Sequence, residues 1–137
     1  MAQINLRGMG VALITPFNED ETIDFPALAR LVEYQIQNGI DYLVVLGTTA
    51  ETPTLTEEEK ARVRSFVIEK VAGRVPIVMG LGGNNTRAIV DSLKTQNFDG
   101  VDAILSVVPY YNKPSQEGIY QHYNCLLYTS PSPRDMR

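Results

Sequence analysis

Short apolar runs alternate along the chain with longer segments in which apolar residues recur every three or four positions. The runs at residues 10–14, 41–46, 75–79 and 103–108 are mostly β-branched or apolar and too short for helices, which predicts four strands. Between them, Leu28, Leu31, Val32 and Ile36 share one helical face. So do Val63, Phe66, Val67 and Val71, and then Ile89, Val90 and Leu93. The boundaries carry their own signals. Asp24 caps the first helix and Asn38-Gly39 closes it; Thr56 with Glu59 makes a capping box for the second, and Gly73 stops it. A third helix follows Asn85-Thr86 and ends before the turn at 97–100. Ser115 caps a fourth that starts at Gln116.

Strands and helices alternating at intervals of roughly 30 residues imply right-handed βαβ crossovers and a parallel sheet covered by helices. Four such units are visible, against eight in a complete (β/α)8 barrel of about 250 residues. The periodicity fits either a small open doubly wound sheet or half a barrel. In both, ligands bind where the strands end.

Composition narrows the setting. Of 137 residues, 44% are hydrophobic and 20% charged, the net charge is -4, and the basic residues are dispersed. Nucleic acid and anionic membranes want a concentrated basic patch, so neither is an expected partner. No segment approaches the apolar length of a membrane span, and residues 1–7 lack signal-peptide anatomy, so a cytoplasmic protein is expected. Cys125, the single cysteine, has no internal disulfide partner and is assigned no chemistry.

The strand ends carry the candidate chemistry. They read Thr15-Pro16-Phe17, Gly47-Thr48-Thr49-Ala50-Glu51, Gly80-Leu81-Gly82-Gly83-Asn84-Asn85 and Pro109-Tyr110-Tyr111-Asn112-Lys113-Pro114-Ser115. Adjacent hydroxyls can donate and accept protons, and amides freed at a strand end can bind an anion without a basic side chain. The glycine-rich segment fits neither dinucleotide nor Walker spacing, so close main-chain packing is its expected role. Glu51 is expected to order its loop through hydrogen bonds. His122 has no second ligand in reach and is expected to be solvated or capping.

In this order and at these separations, the four blocks resemble the pyruvate-dependent class I aldolase superfamily, and within it the dihydrodipicolinate synthase type. The block from Pro109 to Gly118, with Tyr120, Gln121, His122 and Tyr123 behind it, carries most of the likeness. The resemblance implies an α/β fold made of the first four βα units of a truncated TIM (β/α)8 barrel, over residues 1–123. It also implies a lyase joining pyruvate to aspartate semialdehyde through a lysine Schiff base, with no cofactor or metal, in a homotetramer. Thr48 then matches a proton-relay threonine, and Tyr111 the relay tyrosine that reaches into a neighbouring subunit. Thr49 matches the residue that holds the pyruvate carboxylate. Thr52, Asn84 and Tyr110 match the lining of a lysine effector site, from which Ala88 and Glu57 depart by replacing a glutamate and a histidine.

The likeness stops after Tyr123. Residues 124–137, with Pro131 and Pro133 in their second half, read as an unrelated, artefactual and disordered tail. Lys60, Lys70, Lys94 and Lys113 sit on outer helices or a rim loop, so none is expected to form the Schiff base. The alternatives are another pyruvate aldolase of the N-acetylneuraminate lyase or keto-deoxy sugar acid type, a noncatalytic half-barrel assembly partner, and a flavodoxin-like domain disfavoured by its missing phosphate loop.

Overall fold

A computed structural model describes residues 4–129. The elements are β1 (Gly10–Ala12), α1 (Phe25–Gln37), β2 (Tyr42–Val45), α2 (Glu57–Val71), β3 (Ile77–Gly80), α3 (Thr86–Thr95), β4 (Ala103–Leu105) and α4 (Gln116–Thr129). They fall into two units. Among the described residues, the first holds 4–80 with Gly100–Leu105 and the second holds Leu81–Asp99 with 106–129.

All four strands lie in the first unit, in the order β1-β2-β3-β4, and every pair is parallel. The strands are shorter than the apolar runs. At β3 the cause is Pro76, which has no N–H to give the ladder, although its carbonyl still accepts from the Leu43 amide at 3.1 Å. β4 stops at Leu105, three residues short of the expected end at Val108.

The amino ends of the strands use one device twice. The Asp41 carboxylate, just before β2, accepts from the Met9 amide at 2.6 Å, and the Asp102 carboxylate, just before β4, accepts from the Ile77 amide at 2.8 Å. In return, the Asp41 and Asp102 amides donate to the carbonyls of Met9 and Ile77. Two positions before each aspartate stands a left-handed glycine, Gly39 at φ 83° and Gly100 at φ 85°.

Helices α1 and α2 bury Leu28, Val32, Val63, Val67 and Val71, and the strands bury Leu43, Val45, Ile77, Val78 and Met79. Asp24 caps α1 by accepting from the Ala27 amide at 2.8 Å. The Thr56–Glu59 capping box is complete, with bonds of 3.1 and 2.8 Å. Phe66, expected in the buried stripe of α2, is half-buried instead, its ring centroid 5.0 Å from that of Phe25. The left-handed stop of α2 falls on Ala72 (φ 50°) as well as Gly73. Beyond it, Arg74 closes the end by donating to the carbonyls of Lys70 and Val71 while forming a bidentate pair with Glu33 of α1. Those hydrogen bonds hold the Glu33 carboxyl below its ordinary range.

The second unit is built around Ile89, Leu93 and Leu126, with Leu81, Val90, Phe98 and Tyr123 against them. Asn85 caps α3, and the Ser115 hydroxyl accepts from the Gly118 amide at 3.1 Å at the start of α4. α4 continues to Thr129, six residues past the expected boundary at Tyr123. Leu126 follows His122 by one turn and is buried beside α3, so the helix has an apolar reason to go on. The rest of the expected tail, residues 130–137, lies outside the described residues.

β1 and β4 are the edges of the described sheet, and Ile14 and Leu105 near them keep 53% and 55% of their accessible surface. Open parallel edges flanked by apolar side chains invite another chain. The 137-residue chain is therefore expected to self-associate. Light scattering on a size-exclusion column should give a mass above one chain; a monodisperse monomer that unfolds cooperatively would contradict this.

Candidate active site

The turn that follows β2 is the tightest piece of the first unit. Leu46 buries its side chain while its backbone is left-handed (φ 56°), which swings the chain out of the strand direction at once. Gly47 then leads into a single 3-10 turn over Thr48–Ala50, closed by the Ala50 amide on the Gly47 carbonyl at 3.1 Å. Glu51 ends it with a second left-handed backbone (φ 58°) and starts another short turn over Thr52–Thr54. Non-glycine residues in this region cost about 1–3 kcal/mol each and persist only where their surroundings impose them.

Two contacts impose it here. The buried Thr15 hydroxyl donates to the Ala50 carbonyl at 2.8 Å, tying the end of the first apolar run to the turn. At the last residue of β3, a side chain on Gly80 would place its Cβ 2.2 Å from the Leu46 carbonyl oxygen and 2.8 Å from the Gly47 Cα. Only glycine lets β3 and the turn come this close.

The product is a turn that presents two exposed hydroxyls, Thr48 and Thr49, with Thr52 half-buried behind them. Its own hydrogen bonds begin at the Ala50 amide, so the Thr48 and Thr49 amides are not consumed within it. Chemically it offers N–H and O–H donors with no basic side chain, groups that can bind an anion and pass protons, with the Glu51 carboxylate at its end. Glu51 orders the loop as expected, through its main chain: its amide donates to the Thr48 carbonyl, and its own carbonyl accepts from the Thr54 hydroxyl at 2.8 Å. Thr15 heads the first strand-end block, but its sequence assigns it no partner. Its signal is a lone hydroxyl immediately after an apolar run, the same context that marks Thr48.

Asn84, Tyr110 and Tyr111 belong to the second unit. Tyr110 keeps 52% of its accessible surface and Tyr111 90%. The Asn112 amide donates to the Tyr110 carbonyl at 2.8 Å, closing a three-residue γ-turn around Tyr111, whose φ is +69°. The Asn112 side-chain amide donates to the Asn84 carbonyl at 3.0 Å. Gly82 lies so near the Val107 main chain that a Cβ there would be 2.9 Å from its nitrogen. The glycine-rich segment thus does pack main chain against main chain, at Gly80 and again at Gly82.

His122 corrects an expectation. It is neither solvated nor capping: it keeps 3% of its surface, and its Nδ1 is 2.7 Å from the Thr86 hydroxyl on the first turn of α3. Burial lowers its pKa, holding the ring neutral. The neighbouring Tyr123 donates to the Ser106 carbonyl at 2.9 Å. The signal was helical spacing, since Ile119, His122, Tyr123 and Leu126 share one face.

Lys60 pairs with Glu57 at 2.7 Å, Lys70 lies 5.4 Å from the Phe66 ring centroid, and Lys94 and Lys113 are exposed. Among the described residues, no group of three or more His, Cys, Asp or Glu side chains converges on a possible metal position. An open groove on α1 and α2, lined by Phe25, Arg62 and Phe66 among others, includes none of the candidate residues.

The element order, the all-parallel sheet and the hydroxyl-bearing turn after β2 define the first four βα units of a (β/α)8 barrel. The chain belongs to the dihydrodipicolinate synthetase family, whose pattern matches residues 5–133. It is 69% identical over 133 residues to a 4-hydroxy-tetrahydrodipicolinate synthase of Parabacteroides distasonis, a match covering 97% of this chain and 45% of that protein. A dihydrodipicolinate synthase of Bacillus anthracis superposes with a TM-score of 0.88 at 46% identity, over 94% of this chain and 44% of its own. The chloride-inhibited dihydrodipicolinate synthase of Acinetobacter baumannii, solved with pyruvate, gives 0.88 at 40% identity, over 93% and 44%. The chain spans about half the length of the relatives it matches.

Gly80→Ala is expected to lower stability by about 1–3 kcal/mol, because the new methyl meets main chain that cannot step aside. A urea midpoint unchanged from the parent would refute the close approach. Stability should also fall as pH drops below about 6.5. There the unfolded chain protonates its single histidine while the buried one resists, so the unfolded state gains protons first. His122→Gln should remove that slope between pH 7.5 and 5.5, and a variant with the parent's slope would count against it.

Proposed function

We propose that this chain is the amino-terminal part of a cytoplasmic lyase that condenses pyruvate with aspartate semialdehyde on the route to diaminopimelate and lysine. The observation that carries the reading is the hydroxyl-bearing turn after β2, which has no basic side chain, in a chain so similar to a synthase of that name. Pyruvate is an anion with a carbonyl next to its carboxylate. The Thr49 amide and hydroxyl hold the carboxylate, which needs no lysine or arginine.

The chemistry runs through a Schiff base between the pyruvate carbonyl and a lysine amine, which makes the methyl group acidic enough to form an enamine nucleophile. Forming that imine means protonating and expelling a hydroxyl from the carbinolamine. Thr48 passes those protons. Tyr111 completes the relay from a neighbouring subunit of a homotetramer, and its exposed phenol supports that role. A phenol with a pKa near 10 is a weak base alone, so a relay of hydroxyls serves better than one tyrosine. The amine lies outside residues 1–137, because the four lysines here are paired or solvated. No metal or cofactor takes part.

Thr52, Asn84 and Tyr110 match, by resemblance, the lining of an effector site. Ala88 and Glu57 remove groups that would recognise lysine there, so feedback by lysine is weak or absent.

In the longer protein containing this chain, borohydride with labelled pyruvate should mark one lysine outside residues 1–137, and Thr48→Val should cut kcat by about 10²-fold or more. The 137-residue chain alone should take no label. Label on Lys60, Lys70, Lys94 or Lys113, or an unchanged kcat in the valine variant, would overturn the reading.

A further inference from the structure

We propose that Asn112 is a positioning residue for Tyr111: its side-chain amide, anchored on the Asn84 carbonyl, imposes the γ-turn that projects the Tyr111 phenol from the protein. This rests on the reading of Tyr111 as a relay tyrosine and extends it to a residue that touches no substrate.

The argument is one of constraint. Tyr111 takes a positive φ although it has a Cβ, and Lys113 does the same two residues later (φ 49°). A γ-turn with positive φ at its centre is rare and strained, and an exposed loop relaxes unless something outside it holds the geometry. The Tyr111 side chain cannot be the anchor, since it is almost wholly exposed. Asn112 supplies the hold. Its backbone amide closes the turn on the Tyr110 carbonyl, and its side chain crosses to the loop after β3, at Asn84.

That second loop is itself fixed. Gly82 brings it against the Val107 main chain, Asn85 caps α3, and Thr86 is bonded to buried His122. On the tyrosine side, Tyr123 grips the Ser106 carbonyl at the loop's base. The Asn112 bond therefore joins two anchored loops at their tips. An asparagine suits the place because it offers an N–H donor on a short stem. An aspartate of the same shape would set a carboxylate oxygen against the Asn84 carbonyl and repel it.

The test uses the 137-residue chain with 3-fluorotyrosine, the Tyr111 resonance being assigned through Tyr111→Phe. At pH 7, Asn112→Asp and Asn112→Ala should both move that resonance toward the position of free fluorotyrosine and leave the Tyr123 resonance in place. On acidification, the Asn112→Asp resonance should return toward the parent's as the carboxyl regains an O–H donor, with a midpoint near about 4. Asn112→Ala should not return. A role in packing alone predicts no such acid recovery. A parent-like Tyr111 signal in Asn112→Ala, or an Asn112→Asp signal that ignores pH, would overturn the proposal. If Tyr111→Phe leaves turnover of the longer protein unchanged, the relay reading fails while this geometry still stands or falls by the fluorine signal.

Discussion

The main chain of Gly80 lies within van der Waals contact of the Leu46–Gly47 peptide, and the rest of the first unit depends on that approach. It brings the end of one strand under the turn that leaves its neighbour. It also lets Leu46 adopt a left-handed backbone while its side chain stays in the core. With Thr15 holding the Ala50 carbonyl from the other side, the turn is clamped at both ends by groups that are not themselves reactive. Two hydroxyls are thereby displayed on a frame whose strain is met by packing rather than by charge.

The turn from Gly47 to Glu51 carries no basic side chain. Its amides can only donate, whereas its hydroxyls can both donate and accept. The buried histidine of the second unit follows the same economy: neutral at ordinary pH, it is used for its shape and one hydrogen bond.

Much of this was legible in the sequence. Helix caps at Asp24, Thr56 and Ser115 are local chemistry, legible because a capping side chain needs only its own next three residues, whereas Asn85, expected only to precede α3, proves to be its cap. The parallel order followed from the spacing of apolar runs. What could not be read was non-local. Whether Thr15 reaches Ala50, or His122 reaches Thr86, depends on partners 35 and 36 residues away. The shortened strands have the same origin, because an apolar run says that a segment is buried but not where its ladder ends. The candidate site residues are legible as types at strand ends; the positive-φ backbones at Leu46, Glu51 and Tyr111 leave no mark in composition.

At the opposite end of the sheet, the pairing of Gly39 with Asp41 recurs as Gly100 with Asp102, in the same conformation and with the same reach to the preceding strand. A strand slipped by one residue would strand the carboxylate and the amide together, so each aspartate acts as a register pin. The pins stand at the pole remote from the threonines. Sequence drift at the carboxyl pole can then proceed without loosening the alignment of the strands, which makes these paired strands a chassis on which the loops are free to vary.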